Sequence, residues 1–121
     1  MSEIEKVETT EDLDRHVAAS FDGDIWFFKH SLTCGVSSAA WREFERFAGE
    51  QPAEGGVRFC LIEIQSSRPI SRSLAERLDV RHQSPQAILV RGGKAVWHAT
   101  HFSITSRALA AAGAQARESQ A

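Results

Sequence analysis

Ile25-Trp26-Phe27-Phe28-Lys29 is apolar on both faces of an extended chain. A strand of this kind must be covered above and below, which places it at the centre of a sheet with helices on each side. The run passes into a short polar loop, His30-Ser31-Leu32-Thr33, which ends in Cys34, and helix-like periodicity follows at once. A cysteine at a strand-to-helix turn stands where the first N–H groups of the helix converge. Those groups and the helix dipole favour negative charge, and the thiolate is the reactive form of cysteine. The alternative is an unreactive thiol in an ordinary loop, acting as a small hydrophobe.

The flanking segments alternate between helix and strand patterns. Residues 9–21 predict a helix capped by Thr9 or Thr10, acidic in its first turn, with Leu13, Val17 and Phe21 on one stripe. Asp22-Gly23-Asp24 breaks it. From Ser37 to Ala48, the set Ala40, Trp41, Phe44, Phe47 and Ala48 marks one helical face. Gly49 is expected to end that helix, and residues 51–56 form a loop. Residues 57–64 predict a second strand with Cys60 in its apolar middle, where a thiol is inert. Residues 70–79 predict a helix on the stripe Ile70, Leu74 and Leu78. Gln86–Val90 reads as a strand with Pro85 immediately before it, a special place because proline cannot donate to a central ladder. Arg91-Gly92-Gly93-Lys94 is a hairpin turn into Ala95–Ala99. Ser103 is expected to cap a last helix over 104–112, and residues 113–121 to form a frayed tail. Trp41 and Trp97 read as core residues, and His98 and His101 as structural ones. The order α-β-α-β-α-β-β-α predicts one α/β domain over residues 1–121, ordered over about 8–112. Its sheet is mixed and four-stranded, with helices on both faces.

Composition narrows the function. With 121 residues the chain suits a single domain. Its charged fraction of 25% and net charge of -2 give no basic surface for nucleic acid or an anionic membrane. No apolar run is long enough for a membrane span, and the polar, acidic start is unlike a secretory signal, so a cytoplasmic location is expected. In that compartment Cys34 and Cys60 are not expected to form a structural disulfide. Their spacing, without partner histidines, argues against a metal site.

The strand-turn-Cys-helix, the fold order and Ser84-Pro85 together resemble the thioredoxin superfamily. A narrower likeness lies in Phe28-Lys29-His30-Ser31-Leu32-Thr33-Cys34-Gly35-Val36-Ser37, His82-Gln83-Ser84-Pro85-Gln86 and Trp97-His98-Ala99-Thr100-His101. These three motifs, over about residues 8–112, resemble the YtxJ family, the monothiol bacilliredoxin-like proteins of the bacillithiol system. The resemblance implies a thioredoxin-like fold and a cis bond before Pro85 that faces the active thiol. It also implies that the backbone of Ser84 is offered to an extended substrate. The family more usually has proline after the cysteine. Here it is Gly35, so that Cys34-Gly35-Val36-Ser37 also approaches the Cys-Gly-Phe-Ser pattern of monothiol glutaredoxins.

The chemistry that follows is exchange at one thiol. A dithiol enzyme needs a second cysteine three positions on; here that position is Ser37, so resolution requires an outside thiol. Cys34 is expected to take the small thiol from an S-thiolated client protein as a mixed disulfide, which a second small thiol or a partner reductase then clears. No bound cofactor is implied; the co-substrate is a low-molecular-weight thiol, on the resemblance bacillithiol. Val36 and Ser37 can stabilise the thiolate through their N–H groups, and the Ser37 hydroxyl can add a bond or merely cap the helix. Ser31, Thr33 and Gly35 line the rim with Ser84 and Pro85. Lys29 either attracts a carboxylate of the small thiol, as bacillithiol carries carboxylates, or is a solvated strand end. His30 and His82 can tune local charge, or lie on the surface. Three rival readings stand beside this one: an iron–sulfur carrier sharing a cluster between two subunits, a non-catalytic thioredoxin-like adaptor, and a protein in which Cys60 resolves Cys34.

Overall fold

The computed structural model describes residues 3–52 and 56–118. The sheet has five strands: β1 (Ile4–Lys6), β2 (Ile25–His30), β3 (Arg58–Glu63), β4 (Gln86–Arg91) and β5 (Lys94–Thr100). Four helices accompany them: α1 (Thr10–Ala19), α2 (Gly35–Glu50), α3 (Arg68–Leu78) and α4 (Ser106–Glu118). The strand order is β1-β3-β2-β4-β5. β3 runs parallel to both β1 and β2, while β4 is antiparallel to β2 and to β5.

β2 is central and every one of its residues is buried. Its side chains alternate between two cores, as strand geometry requires. Ile25 and Phe27 join Leu13, Cys60, Ile62, Leu74 and Ile88 on the face covered by α1 and α3. Trp26 and Phe28 join Phe44, Phe47, Phe59, Leu89, Ile104 and Leu109 on the face covered by α2 and α4. The expected stripe Ile70, Leu74, Leu78 is buried as a unit.

Five expectations need correction. The sheet has five strands, because Ile4–Lys6 pairs with Phe59–Leu61 and brings Val7 into the core, fully buried. Three residues carry too little pattern to announce a strand by themselves. Phe21 does not continue the α1 stripe and is 71% exposed. The helix ends at Ala19 because the Ser20 hydroxyl turns back to the Val17 carbonyl and accepts from Gly93 N–H, which leaves Phe21 lying over the hairpin glycine. Ser103 is not the cap of the last helix. His101–Ser103 forms a 3-10 turn, and Thr105 Oγ1 accepts from Ala108 N–H (3.1 Å). Finally, residues 113–118 are helical rather than frayed: Gly113 is buried against Trp26, and Arg91 donates to the Ala116 carbonyl. Residues 119–121 lie outside the described residues. The α2 helix also runs past Gly49 to Glu50, its end closed by Gln51 N–H on the Ala48 carbonyl.

Candidate active site

Cys34 is the N-cap of α2, with extended backbone (φ -110°, ψ 123°). A serine or aspartate in this position would accept from the N–H groups of the first turn. The Cys34 sulfur makes no such bond in the thiol form, and first-turn N–H groups have no acceptor within their own helix. A thiolate therefore has donors waiting for it. Cys34 is partly exposed, whereas Cys60 is wholly buried in the middle of β3, between Glu5 of β1 and Phe27 of β2. Burial pushes the Cys60 thiol far up, holding it protonated.

The loop between β2 and α2 is held from both sides. Ser37, fully buried, accepts from Ser31 N–H (2.9 Å) and shares a hydrogen bond with His30 Nδ1 (2.7 Å). Its hydroxyl thus closes the loop upon itself and is neither an N-cap nor an external group. His30 is buried too, not a surface residue. It stacks on Trp41 with ring centroids 5.7 Å apart and planes 19° from parallel. Burial lowers its proton affinity, against the opposing pull of Glu63 and Glu45, so the ring is neutral near pH 7. On the outer side Gln65, just after β3, straps the loop. Its amide donates to Ser31 Oγ (3.0 Å) and Thr33 Oγ1 (3.3 Å), and its carbonyl accepts from Leu32 N–H (3.1 Å). Nothing in the sequence pattern singles out Gln65, because a polar residue after a strand is unremarkable until the loop is folded beside it.

The opposite wall is the Ser84–Pro85 turn, whose peptide bond is cis. Lys29 pairs with Gln86 across β2 and β4, and extending that antiparallel register sets His30 level with Pro85. The turn is fastened by a second amide, this one buried: Gln86 donates to the Arg81 carbonyl (3.1 Å) and accepts from Gln83 N–H (3.4 Å). The Pro85 carbonyl accepts from His101 N–H (3.3 Å), drawing the 3-10 turn alongside. His101 itself has a positive φ of 51°. Ser84 Oγ is buried and has no hydrogen-bond partner among the described residues. Gly35 and Thr33 are exposed and Val36 partly so, at the rim with exposed Leu32.

Lys29 departs from both expectations. It is fully buried, on the sheet face opposite α2. Its Nζ donates to the Ser71 carbonyl (3.1 Å) and faces His82 Nδ1 at 3.2 Å. Burial lowers it to about 8. A lysine at the end of a strand reads as solvated from sequence, and only the closing of α3 over β2 buries it. His82 lies above it, exposed, its proton affinity lowered by burial and then by Lys29, Arg68 and Arg72. His98 is exposed on β5, and Trp97 packs edge-on against Trp26.

The family model described as monothiol bacilliredoxin BrxC matches residues 5–109. Among solved structures, the chain is similar to a candidate oxidoreductase with a thioredoxin fold, at 27% identity and a TM-score of 0.78, over 90% of this chain and 92% of that one. It is also similar in fold to thioredoxin from Trypanosoma brucei brucei (19% identity, TM-score 0.74, 96% and 92% of the two chains). Thioredoxin f from spinach chloroplast is a further fold match (18%, 0.73, 96% and 95%). The fold is thus thioredoxin-like, and among the described residues no helix is long and apolar enough to cross a membrane.

Proposed function

The chain belongs to the monothiol bacilliredoxin family, and from that premise we propose that it removes a low-molecular-weight thiol, bacillithiol, from S-thiolated client proteins by exchange at Cys34. One observation carries the reading: of the two thiols only Cys34 is open to an outside disulfide, and the residue three positions on is a serine locked into the loop. The Cys34 thiolate attacks the small-thiol sulfur of the client's mixed disulfide. The new S–S bond forms as the old one breaks, and the electron pair leaves on the client sulfur as a thiolate. Cys34 now carries the small thiol. A second small-thiol thiolate attacks that thiol's sulfur, giving the symmetric small-molecule disulfide and free Cys34; a partner reductase serves the same step. No net oxidant or reductant is consumed in the first transfer.

The protein's part is positional. The first-turn N–H groups of α2 stabilise thiolate as attacker and as leaving group. Ser31, Ser37, His30 and Gln65 hold the loop that aims Cys34, and Ser84 and Pro85 offer the wall along which the substrate lies. Leu32 and Phe102, 55% and 78% exposed, give a polypeptide client apolar side chains to lean on at the rim.

The test is to mix the protein with bacillithiolated client and follow intact masses. The adduct is expected on the wild-type protein, on Cys34 by peptide mapping, with nothing gained by Cys34→Ser. An adduct that stays on the client sinks the reading, and the same run with glutathionylated client decides the thiol.

A further inference from the structure

The polar cluster under α3 has no part in the exchange as described. A cavity of about 80 Å³ is lined by Ile64, Arg68, Ser71, Arg72 and His82, and Lys29 lies behind its wall, bonded to Ser71 and His82. Arg68 and Arg72 are one helical turn apart, a spacing at which like charges repel. Neither has a carboxylate partner among the described residues, whereas Arg15 has two and Arg77 and Arg91 have one each. Lys29 is fully buried and its bonds go to a carbonyl and an imidazole, both neutral. A buried ammonium without a counter-charge is costly. Three cations therefore face His82, whose proton affinity is lowered first by burial and then by Lys29, Arg68 and Arg72, with no acid among the contributors. The field of such a cleft favours an anion.

Size and place narrow which anion. The cavity far exceeds the roughly 15 Å³ that one water needs, but it admits a carboxylate-sized group and not a polypeptide. It lies at the end of the sheet that carries Cys34: Lys29 is five residues before Cys34, and His82 two before Ser84. His82 of the cavity wall leads within two residues into the Ser84–Pro85 turn, and His30, the neighbour of Lys29, is level with Pro85 in the extended β2–β4 register. Two guanidinium groups match carboxylate oxygens in geometry as well as charge. We propose that this cavity holds the carboxylate end of the small-thiol co-substrate, gripped by Arg68 and Arg72 with Lys29 beneath, while its sulfur is exchanged at Cys34. The assignment rests on the exchange reading above and names the residues by which a carboxylated thiol is told from a neutral one.

The experiment compares one client carrying two adducts, the dicarboxylate mercaptosuccinate and the neutral 2-mercaptoethanol, with transfer to Cys34 followed by mass. Wild type is expected to favour the carboxylated adduct by roughly ten- to hundredfold, the range of one or two charged hydrogen bonds. In the Arg68→Gln/Arg72→Gln double variant that ratio falls towards one; an undiminished ratio overturns the proposal while leaving the exchange reading intact. If wild type moves neither adduct, the exchange reading fails, and the cavity is judged by binding alone. S-methyl mercaptosuccinate is titrated into Cys34→Ser protein, with the His82 imidazole resonances observed by NMR. A saturable shift that the two arginine substitutions abolish supports the cavity; no shift overturns it. Saturation by inorganic phosphate but not by the dicarboxylate makes it a phosphate site and overturns the carboxylate assignment.

Discussion

Ser37 occupies the place where a two-cysteine enzyme keeps its second thiol, and its hydroxyl has been given other work. It satisfies Ser31 N–H and His30 Nδ1 at once, in full burial. Removing one partner of a buried pair leaves the other unpaired, which costs about 1–3 kcal/mol. Ser37→Ala is therefore expected to lower stability by that amount in urea unfolding, and to slow transfer to Cys34 because the 31–34 loop loses its inner clasp. Unchanged stability with slowed transfer would instead place the hydroxyl at the sulfur.

At the scale of the element, α2 is a helix whose first residue invites a change. Gly35 is at the first helical position, where an N–H is unpaired in any case and proline is welcome. A Cβ built there meets nothing within 4 Å. Cys34, before it, already has the extended φ of -110° and ψ of 123° that a residue preceding proline prefers. Gly35→Pro is thus expected to stabilise by about 0.4–1 kcal/mol through the unfolded chain, read as a raised melting temperature, with Cys34 still accepting the adduct. A lowered melting temperature would show that the N–H of residue 35 has a structural partner. The sheet's outer strand shows the same dependence of an element on its setting. Ile4–Lys6 is a strand because β3 offers it an edge and Val7 a buried anchor.

For the molecule as a whole, the buried Lys29 sets a pH dependence. Its folded-state affinity, about 8 against an ordinary 10.5, means that unfolding takes up a proton between those values. Stability from this group therefore rises with pH through the window from about 8 to 10.5, and the penalty is fully present below it. A shift of that size corresponds to a penalty on the order of 3 kcal/mol. Lys29→Met is expected to unfold at higher urea than wild type at pH 7, with the gain vanishing as pH approaches the ordinary lysine value. Cys60 works the other way, since its raised affinity erodes stability above the ordinary thiol range, but it is common to both proteins and drops out of their difference. A gain that does not change with pH would show that Lys29 is not the titrating group.

What the sequence by itself determined here is what depends on local pattern. The central strand is legible because four successive apolar residues leave no face for water, and the helices because their stripes recur at helical spacing. Cys34 is legible because it joins the two. Motif likeness added Ser84 and Pro85, which lie far away in the chain. What only the tertiary structure decided is whatever depends on which side of an element another element closes. Lys29 and His30 are adjacent residues on one strand. One is buried under α3 with Ser71 and His82, the other under α2 with Ser37 and Trp41, and no local pattern could allot them. Gln65 and Gln86 became the straps of the two turns of the candidate site because the sheet brings strand ends together, and Phe21 was left in solvent because Ser20 found partners in a hairpin some seventy residues on. Periodicity reports which residues seek a core. Partners for polar groups are found across the fold, and they exist only once the strands and helices have met.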